Sequence, residues 1–231
     1  MRPRLLLFDI DGTLMLSGGA GFRALTRALL EVFEIPDALT GVRLHGMTDP
    51  QIVTDALEKA GRGGTASDEQ LARARSLYLK YLATEITAAT TARMMPGVIP
   101  LLDHLQQVPN ARLALLTGNI EEGARIKLSR FDLNRYFACG GFGSDSPQRR
   151  ELVPVALSRA RAHFGIDFDP TDAVVIGDTE RDVDCGRAAG ARTLAVATGS
   201  TPESALRDAG ADVVVPTLED TQAIAAALLA V

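Results

Sequence analysis

Short aliphatic runs alternate with helix-patterned segments through the second half of this chain, and this alternation limits the possible fold more than any other feature. The runs lie at 112–116, 173–176, 194–197 and 213–215, and another lies at 5–8. Continuous apolar strands of this kind suit a sheet that is buried on both faces. The pattern therefore predicts an α/β domain, with a parallel sheet between layers of helices.

The segment from residue 18 to residue 93 has helical patterns and no strand signal. Its first helix is indicated by apolar residues three or four positions apart: Phe22, Leu25, Leu29 and Val32. Thr48 and Ser67 each begin a capping pattern that opens a further helix. The sequence therefore predicts a core made of 1–17 and 94–231, with a helical insert, 18–93, between its two parts.

The composition is that of an ordinary globular protein, and it limits the expected partners. The 231 residues are 46% apolar and 23% charged, with a net charge of −5. This charge gives no general attraction to nucleic acid or to anionic lipid. No apolar run is long enough to span a bilayer or to form a secretory signal, so we expect a cytoplasmic protein. The two cysteines, Cys139 and Cys185, form no disulfide framework or zinc pattern, and we expect both to be buried.

Polar residues follow three of the predicted strands directly. Asp9 ends the first strand, and Thr117 and Asp178 end two of the later ones. Because the carboxyl ends of parallel strands meet at the edge where open α/β sheets bind ligands, we expect these side chains to lie together. Any one of them could instead cap a helix or form a turn. The three together, with Asp11 close by, predict a functional site.

The spacing of Asp9 and Asp11 suits the chemistry of phosphoryl groups. In extended chain, residues two apart point the same way, and their Cα atoms lie roughly 6 to 7 Å from one another. That leaves room for a tetrahedral phosphorus, which one carboxylate can attack while the other exchanges a proton with the leaving oxygen. Gly12 and Thr13 follow in a turn whose backbone N–H groups can face an anion.

Placing Asp9 and Asp178 at one sheet edge creates a need for positive charge. Two carboxylates about 4 Å apart repel by roughly 4 kcal/mol at an effective dielectric of 20. Either one of them is protonated or a cation lies between them, and a site with oxygen ligands alone favours Mg²⁺. Asp182, four residues after Asp178, either assists this site or serves as a first-turn acid of the following helix.

A transferred phosphoryl group also needs hydrogen-bond donors and a basic side chain. Thr117 supplies a hydroxyl, and Gly118 and Asn119 add backbone N–H groups at a strand-to-helix turn. The basic candidates are Arg149 and Arg150, which precede the next predicted helix, and we favour Arg149.

The three lysines are predicted to lie away from this site. Lys59 and Lys80 fall in the helical insert, and Lys127 lies about 15 Å from Thr117 if the intervening residues rise as a helix. We therefore expect no lysine in the site.

In chain order, three of these segments resemble motifs of the haloacid dehalogenase (HAD) superfamily of hydrolases. Residues 9–13 resemble its first motif, residues 115–119 its second, and residues 177–179 with Asp182 its fourth. Helices inserted after the first motif resemble the C1-type cap of phosphoglycolate-phosphatase-like members. The resemblance implies a Rossmann-like core and a mobile helical cap that closes over the site.

For this chain the resemblance implies a phosphatase that hydrolyses a small phosphorylated metabolite in two steps. Asp9 would attack phosphorus to form an aspartyl-phosphate. Asp11 would protonate the leaving alcohol and then deprotonate the attacking water. Mg²⁺ would be held by Asp9, the Asp11 carbonyl and Asp178. The usual lysine of the third motif is absent, so Arg149 would replace it, and 2-phosphoglycolate is indicated as substrate by the resemblance alone.

Two residues separate the subclasses of this superfamily. Asp11 argues against dehalogenases, which lack that aspartate. Gly21 stands where similar sugar-phosphate mutases carry a histidine, so it favours a phosphatase over the mutase alternative. A second alternative is a signalling module that is phosphorylated on aspartate, although such modules are smaller and have no cap. A third is a non-catalytic metabolite-binding relative, which the intact set of acids disfavours.

Overall fold

The computed structural model describes residues 2–230, so Met1 and Val231, the outer ends of the predicted core, lie outside the described residues. Eight strands are found among residues 2–230: β1 (Arg4–Phe8), β2 (Met15–Leu16), β3 (Arg93–Met94), β4 (Ala111–Thr117), β5 (Gly140–Phe142), β6 (Ala173–Gly177), β7 (Arg192–Val196) and β8 (Val213–Val215). Six of them form one parallel sheet in the order β5-β4-β1-β6-β7-β8. The predicted parallel α/β sheet is confirmed. All five predicted strands are present, and their ends lie within two residues of the predicted ends.

Helices cover both faces of this sheet. Within the described range they are α1 (Ala20–Phe33), α2 (Asp49–Lys59), α3 (Asp68–Ala88), α4 (Val98–Gln106), α5 (Glu121–Ser129), α6 (Leu152–Phe164), α7 (Glu180–Ala188), α8 (Glu203–Asp208) and α9 (Thr221–Leu229). None of these helices has both the length and the apolar character needed to cross a membrane.

The central strand β1 is buried along its whole length because it packs on both sides. Leu6 and Phe8 belong to one hydrophobic cluster with α4, α5 and α9. Leu5 and Leu7 point the other way, into a second cluster with α6. This two-sided packing explains why the strand reads as a continuous apolar run.

The edge strand β5 corrects the sequence analysis, which has no strand at this position. Two of its three residues are glycines, and it contains none of the β-branched residues that usually indicate a strand. A Cβ on Gly140 would lie 2.6 Å from the Leu115 carbonyl oxygen, and one on Gly141 would overlap the Leu152 carbonyl oxygen. The glycines therefore permit close approach of backbone to β4 and α6.

The predicted helical insert contains α1, α2 and α3. The starts predicted for its second and third helices are confirmed, since Thr48 accepts a hydrogen bond from the Gln51 N–H and Ser67 forms a capping box with Gln70. At the two ends of this segment the short antiparallel strands β2 and β3 pair with each other. The division into a core and a separate cap at 18–93 stays a prediction.

Candidate active site

The carboxyl ends of β1, β4 and β6 bring polar side chains together. These strands are neighbours in the sheet, and the Asp9 N–H extends the pairing by donating to the Ile176 carbonyl oxygen at 2.9 Å. Asp9, Thr117 and Asp178 are all buried there. Residues from three distant parts of the chain therefore line one cavity, as the strand pattern predicts.

Asp9, Asp178 and Asp182 form a compact acidic cluster. Each offers a carboxylate oxygen, and these oxygens lie within 4.8 Å of one another. Burial, with smaller contributions from neighbouring carboxylates, raises the pKa of Asp9 to about 6 and that of Asp178 to about 8. The cluster therefore resists full ionisation even beside the guanidinium of Arg149, which lies 3.1 Å from Asp9 Oδ1, and a further cation would relieve the remaining repulsion.

The cluster suits a divalent metal ion both in its donors and in its surroundings. Three oxygen ligands of negative charge match the preference of Mg²⁺. A Cβ on Gly12 or on Gly199 would overlap the carboxylate of Asp178, so the chain leaves room around that group only because glycine stands at both positions. The Thr13 hydroxyl orients the same carboxylate by donating to its Oδ1 at 3.1 Å.

Asp182 has two structural partners in addition to its place in the cluster. Its Oδ2 accepts hydrogen bonds from the N–H and the hydroxyl of Thr179, at 3.0 and 2.6 Å, in a capping box that begins α7. Its Oδ1 accepts from the guanidinium of Arg149. Asp182 is thus a first-turn acid of its helix and also orients Arg149, while its role as a metal ligand stays a prediction.

The structure distinguishes Arg149 from its neighbour Arg150. Arg149 is buried, and its Nη2 lies 3.1 Å from Asp9 Oδ1 while also contacting Asp182. Arg150 lies on the surface and pairs with Asp184, both contacts being 2.7 Å. Only Arg149 of the two reaches the acidic cluster, which supports the choice made from the sequence.

Asn119 links the second and first motif segments. Its Nδ2 donates to Thr117 Oγ1 at 2.8 Å and to Asp11 Oδ2 at 2.9 Å. The carboxylate of Asp11 is therefore turned toward the Thr117 loop, whereas the carboxylate of Asp9 faces the metal-type cluster. The two aspartates have different surroundings and can perform different chemistry.

Lys127 is in the site, which corrects the expectation that no lysine reaches it. Its Nζ lies 2.6 Å from Asp11 Oδ2 and 2.6 Å from Asn119 Oδ1. Helical rise from Thr117 overstates the distance because α5 begins only at Glu121 and helical side chains lean toward the N-terminus. Lys127 lies on the buried face of α5 with Gly123, Ala124 and Leu128, and a lysine on that face is the signal that could have found it.

The helical insert adds two polar residues that the sequence analysis did not single out. Asp49 begins α2, and its Oδ2 accepts a hydrogen bond from the Ile120 N–H at 2.9 Å. Burial raises the pKa of its carboxyl group to about 6. Tyr78 of α3 lies nearby, and burial together with the charges of Asp49 and Asp11 raises the pKa of its hydroxyl well above the usual value.

A cavity of about 600 Å³ joins the acidic cluster to the helical insert. Its sheet side is polar and includes the residues described above. Its insert side is largely apolar and includes Leu25, Leu39, Leu44 and Ile52. A space of this size suits a small molecule, with a charged group at the sheet edge and the rest of the molecule facing the insert.

Comparison with known proteins connects this geometry to a family. Residues 3–190 match the family model described as haloacid dehalogenase-like hydrolase. A phosphoglycolate phosphatase of Cereibacter sphaeroides is 32% identical over 192 residues, which are 81% of this chain and 82% of that protein. Phosphoglycolate phosphatase 1 of Pseudomonas aeruginosa is 28% identical over 219 residues, which are 94% of this chain and 78% of that protein.

The fold is also shared with solved structures. A predicted phosphatase from Clostridium acetobutylicum superimposes with a TM-score of 0.71 and 20% sequence identity, over 97% of this chain and 99% of the other. At this identity the likeness concerns the fold alone.

Proposed function

The chain belongs to the haloacid dehalogenase-like hydrolase family and is a phosphatase of that family, and from this premise we propose that it hydrolyses small phosphomonoesters through an aspartyl-phosphate on Asp9. The observation that carries the proposal is the convergence of Asp9, Asp11, Thr117 and Asp178 on one cavity from separate parts of the chain. A receiver-type signalling module is not supported, because the family match covers most of the chain.

Asp9 is the proposed nucleophile. It ends the central strand β1, it is buried, and Arg149 Nη2 lies 3.1 Å from its Oδ1. Attack by a carboxylate oxygen forms the bond to phosphorus while the bond from phosphorus to the leaving oxygen breaks. The guanidinium of Arg149 stabilises negative charge on the transferred group.

Asp11 is the proposed general acid and base. It donates a proton to the departing alkoxide in the first step and takes a proton from water in the second. The Asp11 side chain is 38% exposed, whereas the Asp9 side chain is only 6% exposed. That difference suits a group that must meet both the leaving alcohol and the incoming water.

The phosphoryl oxygens are bound, in this proposal, by the loop that follows β4. The proposed donors are the Thr117 hydroxyl and the Gly118 N–H. The N–H groups of Gly12 and Thr13, predicted to face the anion, donate instead to the Met15 and Ile10 carbonyl oxygens at 2.9 and 3.3 Å, and the Asn119 N–H donates to Thr117 Oγ1 at 3.3 Å. Gly12 has φ +92°, a left-handed conformation that glycine adopts readily and that shapes the turn after β1.

Mg²⁺ would be held by Asp9, the Asp11 carbonyl oxygen and Asp178, with Asp182 next to them. When bound, the ion supplies positive charge that offsets the crowded carboxylates and polarises the phosphoryl oxygens. The compact acidic cluster and the glycines around Asp178 support this assignment.

2-Phosphoglycolate is the proposed substrate within this class, supported by the phosphoglycolate phosphatases to which the chain is similar. Two further basic residues, His45 and Arg93, line the cavity, and we propose them as the groups that meet a substrate carboxylate. The mutase alternative is less well supported, since Gly21 has no side chain that could act on a sugar phosphate.

A screen of phosphate release tests this proposal. The purified protein is incubated with Mg²⁺ and a panel containing 2-phosphoglycolate, sugar monophosphates and p-nitrophenyl phosphate. We expect release from several members, with the largest kcat/KM for 2-phosphoglycolate, and loss of activity in excess EDTA. Release from no phosphomonoester would overturn the function, and conversion of a sugar phosphate to its isomer without release would favour the mutase.

A further inference from the structure

We propose that Lys127 is a positioning residue for Asp11, and that its ammonium group fixes both the Asp11 carboxylate and the Asn119 amide for proton transfer to the leaving group. This inference rests on the proposed phosphatase function. It concerns a residue that belongs neither to the three motif-like segments nor to the Arg149 position.

The first support is the way in which Asp11 is held. Its Oδ2 accepts from Lys127 Nζ at 2.6 Å and from Asn119 Nδ2 at 2.9 Å. Both donors therefore bind the same carboxylate oxygen, Oδ2. We infer that the other oxygen, Oδ1, exchanges the proton with substrate or water. The Lys127 side chain is 7% exposed and the Asp11 side chain 38% exposed, so the carboxylate is anchored on its buried side.

The second support is the orientation of Asn119. An ammonium group only donates hydrogen bonds, so the oxygen of the amide must face Lys127, at 2.6 Å. This turns the Nδ2 of Asn119 toward Asp11 and toward Thr117 Oγ1, which lies 2.8 Å away. A single cation thus sets the positions of the proposed acid and of a proposed phosphate-binding hydroxyl.

The third support is the cost of burying this charge. A buried ammonium group is destabilising unless it is paired and hydrogen-bonded. The groups that pair with Lys127 are residues of the proposed site, and the half-buried carboxylate of Asp49, from the insert, adds a further negative charge that favours the charged ammonium. Lysine at this position on α5 is therefore explained by the site, since the other inward residues of the helix are glycine, alanine and leucine.

The test compares two kinds of leaving group. The value of kcat/KM reports the steps up to loss of the leaving alcohol. An alkyl phosphate needs a well-placed acid to protonate its alkoxide, whereas p-nitrophenolate leaves without a proton. Lys127→Met keeps a long unbranched side chain but removes the three N–H donors of the ammonium group. We expect it to lower kcat/KM about tenfold to a hundredfold more for an alkyl phosphate than for p-nitrophenyl phosphate.

Two further variants make the result decisive. Lys80→Met removes an exposed lysine of α3 and should leave both rates within twofold of the wild type. Lys127→Gln is measured alongside, because its polar side chain is better tolerated if the methionine variant folds poorly. It tests the same ratio of kcat/KM for the alkyl phosphate to kcat/KM for p-nitrophenyl phosphate. Circular dichroism and thermal unfolding establish that the variants are folded.

The outcomes separate this inference from the proposed function. If wild-type protein hydrolyses neither substrate with Mg²⁺, the phosphatase proposal itself fails. If wild type hydrolyses both and the Lys127 variants lose both activities equally, or lose neither, the positioning role is wrong while the function stands. Selective loss of the alkyl phosphate activity supports the role of Lys127.

Discussion

The backbone N–H of Asp49 donates to the carbonyl oxygen of Gly118 at 2.7 Å, so a helix of the insert begins directly on the proposed phosphate-binding loop. Two side-chain bonds accompany this contact. The Asp49 carboxylate accepts from the Ile120 N–H at 2.9 Å, and the Thr48 hydroxyl donates to the Pro147 carbonyl oxygen at 2.7 Å. Any movement of α2 away from the sheet edge must break these bonds.

Replacing the Asp49 side chain should destabilise the protein. In Asp49→Ala the Ile120 N–H loses its acceptor in a partly buried position, which costs about 1 to 3 kcal/mol in the free energy of unfolding. Urea unfolding followed by circular dichroism measures the change. Asp68→Ala is the matched control, since Asp68 also begins a helix of the insert but is exposed. An equal change in the free energy of unfolding for the two substitutions would contradict the conclusion that the Asp49 side chain holds α2 against the Gly118 loop.

The nucleophile assignment predicts a clean separation of activity from folding. Asp9→Asn should reduce phosphate release to background, because an amide cannot attack phosphorus, while circular dichroism stays that of the wild type. Asp184→Asn alters a surface acid with no contact to the cavity and should retain activity. Wild-type turnover of p-nitrophenyl phosphate by Asp9→Asn with Mg²⁺ would show that another group attacks.

The assignment of Arg149 to the basic position of the third motif is tested by two separate arginine-to-lysine variants, one at Arg149 and one at Arg150. Arg149 reaches Asp9 and Asp182 with one guanidinium, and the more compact ammonium of lysine does not reproduce this planar geometry. We expect Arg149→Lys to lower kcat about tenfold to a hundredfold, in line with the loss of one stabilising donor group. Arg150→Lys, next in sequence but on the surface, should change kcat less than twofold. Similar losses at both positions would argue against the assignment.

The raised pKa values predict how stability depends on pH when the metal is removed. The folded protein keeps a proton on Asp178 up to about pH 8 and on Asp9 up to about pH 6, whereas an unfolded carboxyl group loses it near pH 4. Unfolding in this range therefore releases protons, so the free energy of unfolding falls as pH rises, by up to about 1.4 kcal/mol per pH unit for each group.

Thermal unfolding in EDTA between pH 5 and 8.5 checks this dependence. The Tm of wild type should fall across the range, and Asp178→Asn should flatten the part between pH 6 and 8. Added Mg²⁺ should raise Tm more at pH 8 than at pH 5.5, because protons compete with the metal for the cluster. A wild-type Tm that stays constant from pH 6 to 8 would contradict the shifted pKa of Asp178.

The sheet and its polar edge are predictable because both follow from local patterns. A strand that is buried on both faces, such as β1, must be apolar throughout, and parallel strands must end at one edge. Asp9, Thr117 and Asp178 are therefore brought together by topology alone. The strand β5 escapes such reasoning because its glycines reflect close packing with neighbours that only the folded chain supplies.

The contributions of Lys127, Asp49 and Tyr78 depend on geometry that the sequence does not state. Lys127 reaches the site because α5 begins at Glu121, and one additional turn of helix would move its ammonium group by about 5 Å. Asp49 and Tyr78 depend on how the helices of the insert lie against the sheet edge. No residue pattern specifies that docking orientation, since each helix has its own apolar face whichever way the insert is turned.

The pairing of β2 with β3 has a consequence for how proteins of this design can diversify. Leu16 is the register partner of Arg93, so the two ends of the segment that carries α1, α2 and α3 are neighbours in a short antiparallel ladder. The 76 residues between them close a loop whose ends are already held together. A different module grafted between these two strands would keep the sheet-edge residues Asp9, Thr117 and Asp178 but would replace the insert side of the cavity, so it would have to supply its own contacts to the Gly118 loop.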